Sequence, residues 1–120
     1  MIRLDPSITP KSLTSDINRL WDVSAKKIFA LQKDWDSSKG TPVFTIAGKY
    51  TSRGWTEWTQ GFQFGSAILQ YSATGDKKAL AIGIDGTRRY MASHVSHIGV
   101  HDHGFNNVST YGNLYFLAKS

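Results

Sequence analysis

The apolar residues Leu13, Ile17, Leu20, Trp21, Ile28 and Leu31 recur mainly at three-, four- and seven-residue intervals, a period that restricts this segment to a helix with one apolar stripe. Thr9-Pro10 supplies a cap and a proline at the first helical position, so the helix is expected over about residues 10–33. The dense turn cluster Asp36-Ser37-Ser38-Lys39-Gly40-Thr41-Pro42 ends the segment. A short extended piece at Val43–Gly48 follows, then a loop as far as Arg53-Gly54.

The helical period returns after Trp55. Trp58, Phe62, Ile68 and Tyr71 can share a face, while Gly61, Gly65, Ser66 and Ala67 are small enough for close approach of another helix or a ligand. Thr74-Gly75-Asp76 reads as a helix stop with a fresh cap behind it. A third helix is expected from Lys77 to about Ile98, carrying Leu80, Ile84, Met91 and Val95, with Gly83 and Gly86 weakening it. A loop at His101–Asn107 and a fourth helix over Ser109–Leu117 complete an all-α serial pattern within a single domain, residues 1–120.

The chain has no cysteine, which excludes disulfide staples, thiolate zinc sites and a cysteine nucleophile. Its net charge of +5 is spread evenly, and the only adjacent basic pairs are Lys26-Lys27, Lys77-Lys78 and Arg88-Arg89. Nucleic acid is therefore not expected as a partner, since binding a duplex takes clustered cations. Met1–Pro6 lacks the features of a secretory leader, and the uncharged stretch Trp58–Gly75 is too polar to span a membrane, so a cytoplasmic chain without a membrane partner is expected.

Two segments concentrate the chemistry. All four histidines, His94, His97, His101 and His103, fall within ten residues, and Asp102 lies between the last two. Imidazoles at such spacing can bind zinc, but three convergent ligands are not guaranteed by it. The plainer reading makes His94 and His97 buried or half-buried hydrogen-bonding residues, with His101 and His103 on alternate sides of an extended loop. Asp102 either does acid/base work beside the imidazoles or caps the next turn. The second segment is Trp55-Thr56-Glu57-Trp58-Thr59-Gln60-Gly61-Phe62, where Trp58 and Phe62, one helical turn apart, either line a sugar-binding wall or pack in the core. Glu57 is a spare carboxylate beside them.

Together, Trp58-Thr59-Gln60-Gly61-Phe62, the turn Tyr71 to Asp76, and His101-Asp102-His103-Gly104-Phe105 resemble the unsaturated glucuronyl hydrolases of glycoside hydrolase family 88 in order and separation. The likeness covers about residues 55–117. It implies a six-hairpin α/α barrel, of which these residues would form about the first two hairpins, an incomplete domain. It also implies removal of a 4,5-unsaturated uronic acid from oligosaccharides by hydration of a vinyl ether, with no metal or organic cofactor. By the resemblance Trp58, Phe62, His101 and Phe105 contact substrate. Asp102 is one of two essential aspartates, the one that tunes the other, and the principal general acid/base falls beyond Ser120. The chain alone is accordingly expected to be inactive, with exposed apolar faces that favour self-association. Phe64 stands where the family often has Trp, and Asn106-Asn107 where it is usually more apolar. The rival expectation is a non-catalytic helical module that binds carbohydrate or protein.

Overall fold

The computed structural model describes residues 5–119, so Met1–Leu4, on which much of the leader reading rests, lie outside it. The chain is mostly helical with one small sheet, in the order α1 (Thr14–Asp34), a 3-10 turn (Ser37–Lys39), β1 (Pro42–Ile46), β2 (Lys49–Ser52), α2 (Thr59–Thr74), α3 (Lys77–Tyr90), α4 (Ala92–Ser96), α5 (His103–Asn107), a π-helical segment (Val108–Gly112) and α6 (Asn113–Leu117).

α1 begins four residues later than the Thr9-Pro10 signal suggests. Thr9 and Ser12 cap each other: Ser12 N–H donates to Thr9 Oγ1 at 3.1 Å and Thr9 N–H to Ser12 Oγ at 2.9 Å. The hydroxyl of Thr14 donates to the Lys11 carbonyl at 2.8 Å, so hydroxyls compete with the backbone and the first turn stays irregular. None of the side chains of α1 is fully buried.

The expected loop up to Arg53-Gly54 is instead the second strand of an antiparallel hairpin, with Ile46 opposite Lys49. Ala47 and Gly48 both take positive φ, 50° and 76°, as the two-residue turns that match strand twist require. Ala is an unusual residue there, which is why the turn does not announce itself in the sequence. Trp35 ties the hairpin to the end of α1, donating from Nε1 to the Gly40 carbonyl at 2.9 Å and meeting Tyr50 edge-on at 6.3 Å.

α2 is the hub. Gly75, at φ 73°, ends it, and Asp76 starts α3 by accepting the N–H groups of Lys78 and Ala79, so the stop-and-cap reading of Thr74–Asp76 holds. The antiparallel α2–α3 pair packs through the two glycines that weakened the helix in the sequence. A Cβ on Gly83 would lie 2.5 Å from Ile68 Cγ1, and one on Gly86 would overlap the Phe64 ring. Phe64 and Ile68 fill those places and are buried, with Ala67, Ala79 and Met91 completing the apolar core. Burying side chains of the size of Phe64 and Ile68 contributes about 1.5–3 kcal/mol each. Phe64 also stacks on Tyr90 at 5.5 Å.

The third helix does not run on to Ile98. It breaks at buried Met91, where the His94 N–H bonds back to the Met91 carbonyl across three residues rather than four. This tightening turns His94 into the interior.

The stretch expected as a loop at His101–Asn107 winds into α5 at His103, earlier than the fourth helix was expected to start. A parallel pairing with α2 fixes it: Gly61 meets Asn106, and Gly65 meets Ser109, whose carbonyl oxygen would lie 2.6 Å from a Cβ on Gly65. The π-helical segment follows at once. Its altered hydrogen bonding is supplemented by side chains, with Thr110 Oγ1 donating to the Asn106 carbonyl at 2.6 Å and Asn113 Nδ2 to the Ser109 carbonyl at 2.9 Å. No helix among the described residues is long and apolar enough to cross a membrane.

Candidate functional site

Asp102 occupies the capping position of α5 without capping it; its side chain makes no hydrogen bond to the helix N–H groups. Its Oδ1 instead pairs with His101 Nε2 at 3.0 Å. The His101 side chain is 90% exposed and that of Asp102 29%, so the pair sits at the surface with the carboxylate on the inner side. Backbone bonds from His103 to Val100, Gly104 to His101 and Asn106 to Asp102 hold this turn.

One helical turn further, Phe105 comes within 6.3 Å of Phe62, which in turn meets Trp58 edge-on at 5.3 Å. The structure therefore brings three of the expected sugar-contacting residues into one aromatic row. Trp58 and Phe62 are each 44% exposed and Phe105 52%. Neither Trp58, just ahead of α2, nor Phe62 within it belongs to the core, and the helix buries Gln60, Gly61, Phe64, Gly65, Ala67, Ile68 and Gln70 instead. A separate cleft of about 780 Å³ lies between α1 and the hairpin, lined by Ile28, Leu31, Trp35, Lys49 and Tyr50 among others, and holds none of the expected site residues.

Behind the turn lies a polar chain that the sequence only hinted at. His94 is 1% exposed and His103 6%. His94 Nε2 meets Gln60 Oε1 at 3.0 Å, His94 Nδ1 meets His103 Nδ1 at 2.8 Å, and His103 Nε2 meets His97 Nδ1 at 2.8 Å. His97 is exposed, so the chain leads from the interior to the surface. Trp55 lies against all three rings, edge-on to His94 and His97 and nearly parallel to His103 at 5.8 Å. His103 is thus a buried helical residue, and His101 and His103 do not alternate along an extended loop.

Asn106 and Asn107, which departed from the resemblance, lock this chain in place. Asn106 accepts the Gly61 N–H at 2.7 Å and donates to the Glu57 carbonyl at 3.2 Å, while Asn107 donates to the His94 carbonyl at 2.9 Å. Glu57 thus contributes a backbone oxygen here. Burial holds the His94 imidazole below its ordinary pKa of 6.5, and the neighbouring His103 and then His97 push it the same way. Ring nitrogens that face one another at these distances are engaged in bonding each other, and the described residues include no group of three or more His, Cys, Asp or Glu placed to hold a metal ion. No protein-family model, no curated protein and no solved structure matches the chain.

Proposed function

We propose that this chain carries part of the substrate site of an unsaturated uronyl hydrolase, within a domain of the six-hairpin α/α-barrel kind. The observation that carries the proposal is the open aromatic row Trp58–Phe62–Phe105 beside the His101–Asp102 pair. Aromatic faces stack on the apolar face of a sugar ring, and the exposed His101 imidazole suits the uronate carboxylate as a hydrogen-bonding partner. The substrate is a 4,5-unsaturated uronic acid at the non-reducing end of an oligosaccharide.

In the reaction a proton is added at C4 of the C4=C5 vinyl ether, water adds at C5, and the resulting hemiketal opens to release the sugar. No metal or organic cofactor takes part. Asp102 is the partner carboxylate, and the proton donor is the second aspartate that the resemblance requires. With Asp102 alone, the chain binds the sugar but turns it over poorly.

The test is twofold. An unsaturated uronyl disaccharide should quench the tryptophan fluorescence of this chain more strongly than its saturated counterpart. In a longer chain with further helical hairpins, the ultraviolet absorbance of the conjugated enol ether should decay, and Asp102→Asn should stop the decay. Equal quenching by both sugars, or decay untouched by Asp102→Asn, sinks the proposal. The openness of the aromatic row also suits a second reading, a binding module without chemistry; in that case Trp58→Ala abolishes sugar binding while Asp102→Asn changes nothing. Half-exposed apolar residues on α1, among them Leu20 and Val23, support self-association in either reading.

A further inference from the structure

The hydrogens of the histidine chain can be placed one by one. Asn106 Oδ1 faces a backbone N–H, that of Gly61, and its Nδ2 faces a backbone carbonyl, that of Glu57, so its amide has one orientation. The same Nδ2 lies 3.2 Å from His94 Nδ1, which is therefore an acceptor. Neutral His94 then carries its hydrogen on Nε2 and donates to Gln60 Oε1. His103 Nδ1 has to be the donor toward His94, leaving His103 Nε2 to accept from His97 Nδ1. All three rings can then be neutral, with the one Nδ1 lone pair of His94 shared between the short bond from His103 at 2.8 Å and the longer contact from Asn106 at 3.2 Å, and His103 and His97 both hold the Nδ1–H tautomer that free histidine disfavours.

One added proton fits equally well. When solvent protonates His97 at Nε2, the hydrogen on His97 Nδ1 can pass to His103 Nε2. His97 is left neutral, with Nδ1 now an acceptor, and His103 becomes an imidazolium donating from both ring nitrogens. No hydrogen bond is lost, and two become charge-assisted. A further transfer to His94 would set an N–H against the Asn106 amide donor, so the proton stops at His103. There it lies nearly parallel to the Trp55 indole at 5.8 Å, within reach of a cation–π attraction. The elements packed around the chain also carry Tyr71 on α2 and Lys77, Lys78, Asp85, Arg88, Arg89 and Tyr90 on α3, with Glu57 ahead of α2 and His101 and Asp102 in the turn; Arg89 is paired with Asp85 at 2.7 Å.

We propose that His103 is a one-proton store and a positioning residue: it takes a proton from solvent through His97, holds it against Trp55, and so clamps α4 to the start of α5 beside Asp102. The store follows from the chain itself. Its bearing on Asp102 rests on the proposed uronide chemistry, in which a cation in the next residue favours the ionised carboxylate.

Imidazole 15N–1H spectra of the chain, recorded from pH 8 to pH 5, test the store. At pH 8 His94 should show Nε2–H, with His97 and His103 showing Nδ1–H. On acidification His103 should become doubly protonated while His97 switches to Nε2–H and His94 stays neutral. Trp55→Leu, at a half-exposed position, should lower the proton affinity of His103 by about three- to thirtyfold, with partial recovery in Trp55→Phe. His103 in the Nε2–H form at pH 8, protonation of His94 together with His103, or an unchanged affinity in Trp55→Leu overturns the store. In a longer, active chain, the acid limb of the pH–rate profile should move with the same Trp55 substitutions. An unmoved limb overturns the positioning role, whereas the spectral pattern without any uronide turnover keeps the store and removes the uronide reading.

Discussion

The Oδ1 of Asn106 accepts the backbone N–H of Gly61 at 2.7 Å, at a crossing so close that a Cβ on Gly61 would overlap the Asn106 backbone. A single contact thus joins α2 to α5, orients the Asn106 amide and, through that amide, sets the tautomer of His94.

Gly61→Ala should therefore separate the two helices. Overpacking costs about 1–3 kcal/mol and the lost buried hydrogen bond about another 1 kcal/mol. Urea melts will show the loss, and the His94 Nε2–H signal should disappear with it.

Gly83→Ala and Gly86→Ala each raise intrinsic helix propensity by about 1 kcal/mol, yet both should destabilise the chain, because the new methyl meets Ile68 or Phe64. Gly104→Ala is the contrasting case. It lies in α5 with nothing within 4 Å of an added Cβ, so it should stabilise by about 0.5–1 kcal/mol. Thermal denaturation of the three variants side by side tests the contrast, and stabilisation by Gly86→Ala would contradict the described α2–α3 crossing.

The lowered proton affinity of folded His94 means that the unfolded chain binds the extra proton more readily. The contribution of His94 to stability is therefore fully present above its ordinary pKa of 6.5 and is lost as the pH falls from there through the folded value. For one proton the slope cannot exceed about 1.4 kcal/mol per pH unit. Denaturation at pH 8 and pH 5.5 should show a smaller acid loss in His94→Asn than in the parent chain, even though the variant is less stable at both.

Trp58→Ala and Phe62→Ala remove half-exposed rings rather than core, so stability should fall by less than the roughly 3–5 kcal/mol typical of a buried aromatic. Binding of an unsaturated uronyl disaccharide should weaken at least tenfold in each, a loss of about 1.4 kcal/mol or more. Calorimetric titration separates the two effects.

Helix existence was legible from apolar spacing, and Thr74-Gly75-Asp76 marked its boundary because a left-handed glycine and an aspartate cap act locally. The hairpin was not legible, since Ala47 adopts a conformation that its residue type does not advertise. His103–Asn107 was misread for a different reason. Histidine, glycine and asparagine favour turns by propensity, and here the partners that make them helical, Gly61, Glu57 and His94, lie far away in sequence. Gly83 and Gly86 taught the same lesson: their cost within α3 is offset by Phe64 and Ile68 across the crossing. The aromatic row was accessible because Trp58 and Phe62 are one turn apart. The histidine chain was not, because a cluster in sequence says nothing about which nitrogen faces which.

The long first helix reaches the hub partly through the Gln70 amide, which donates to the Trp21 carbonyl at 3.3 Å, and it leaves no residue of its own fully enclosed. Its amides therefore have little reason to wait for the rest of the molecule to open. Deuterium should enter Thr14–Asp34 through frequent detachment of that helix alone, while the amides of α2 exchange only when the whole assembly comes apart. Melting then begins at an edge, and the aromatic row remains standing after the first helix has left.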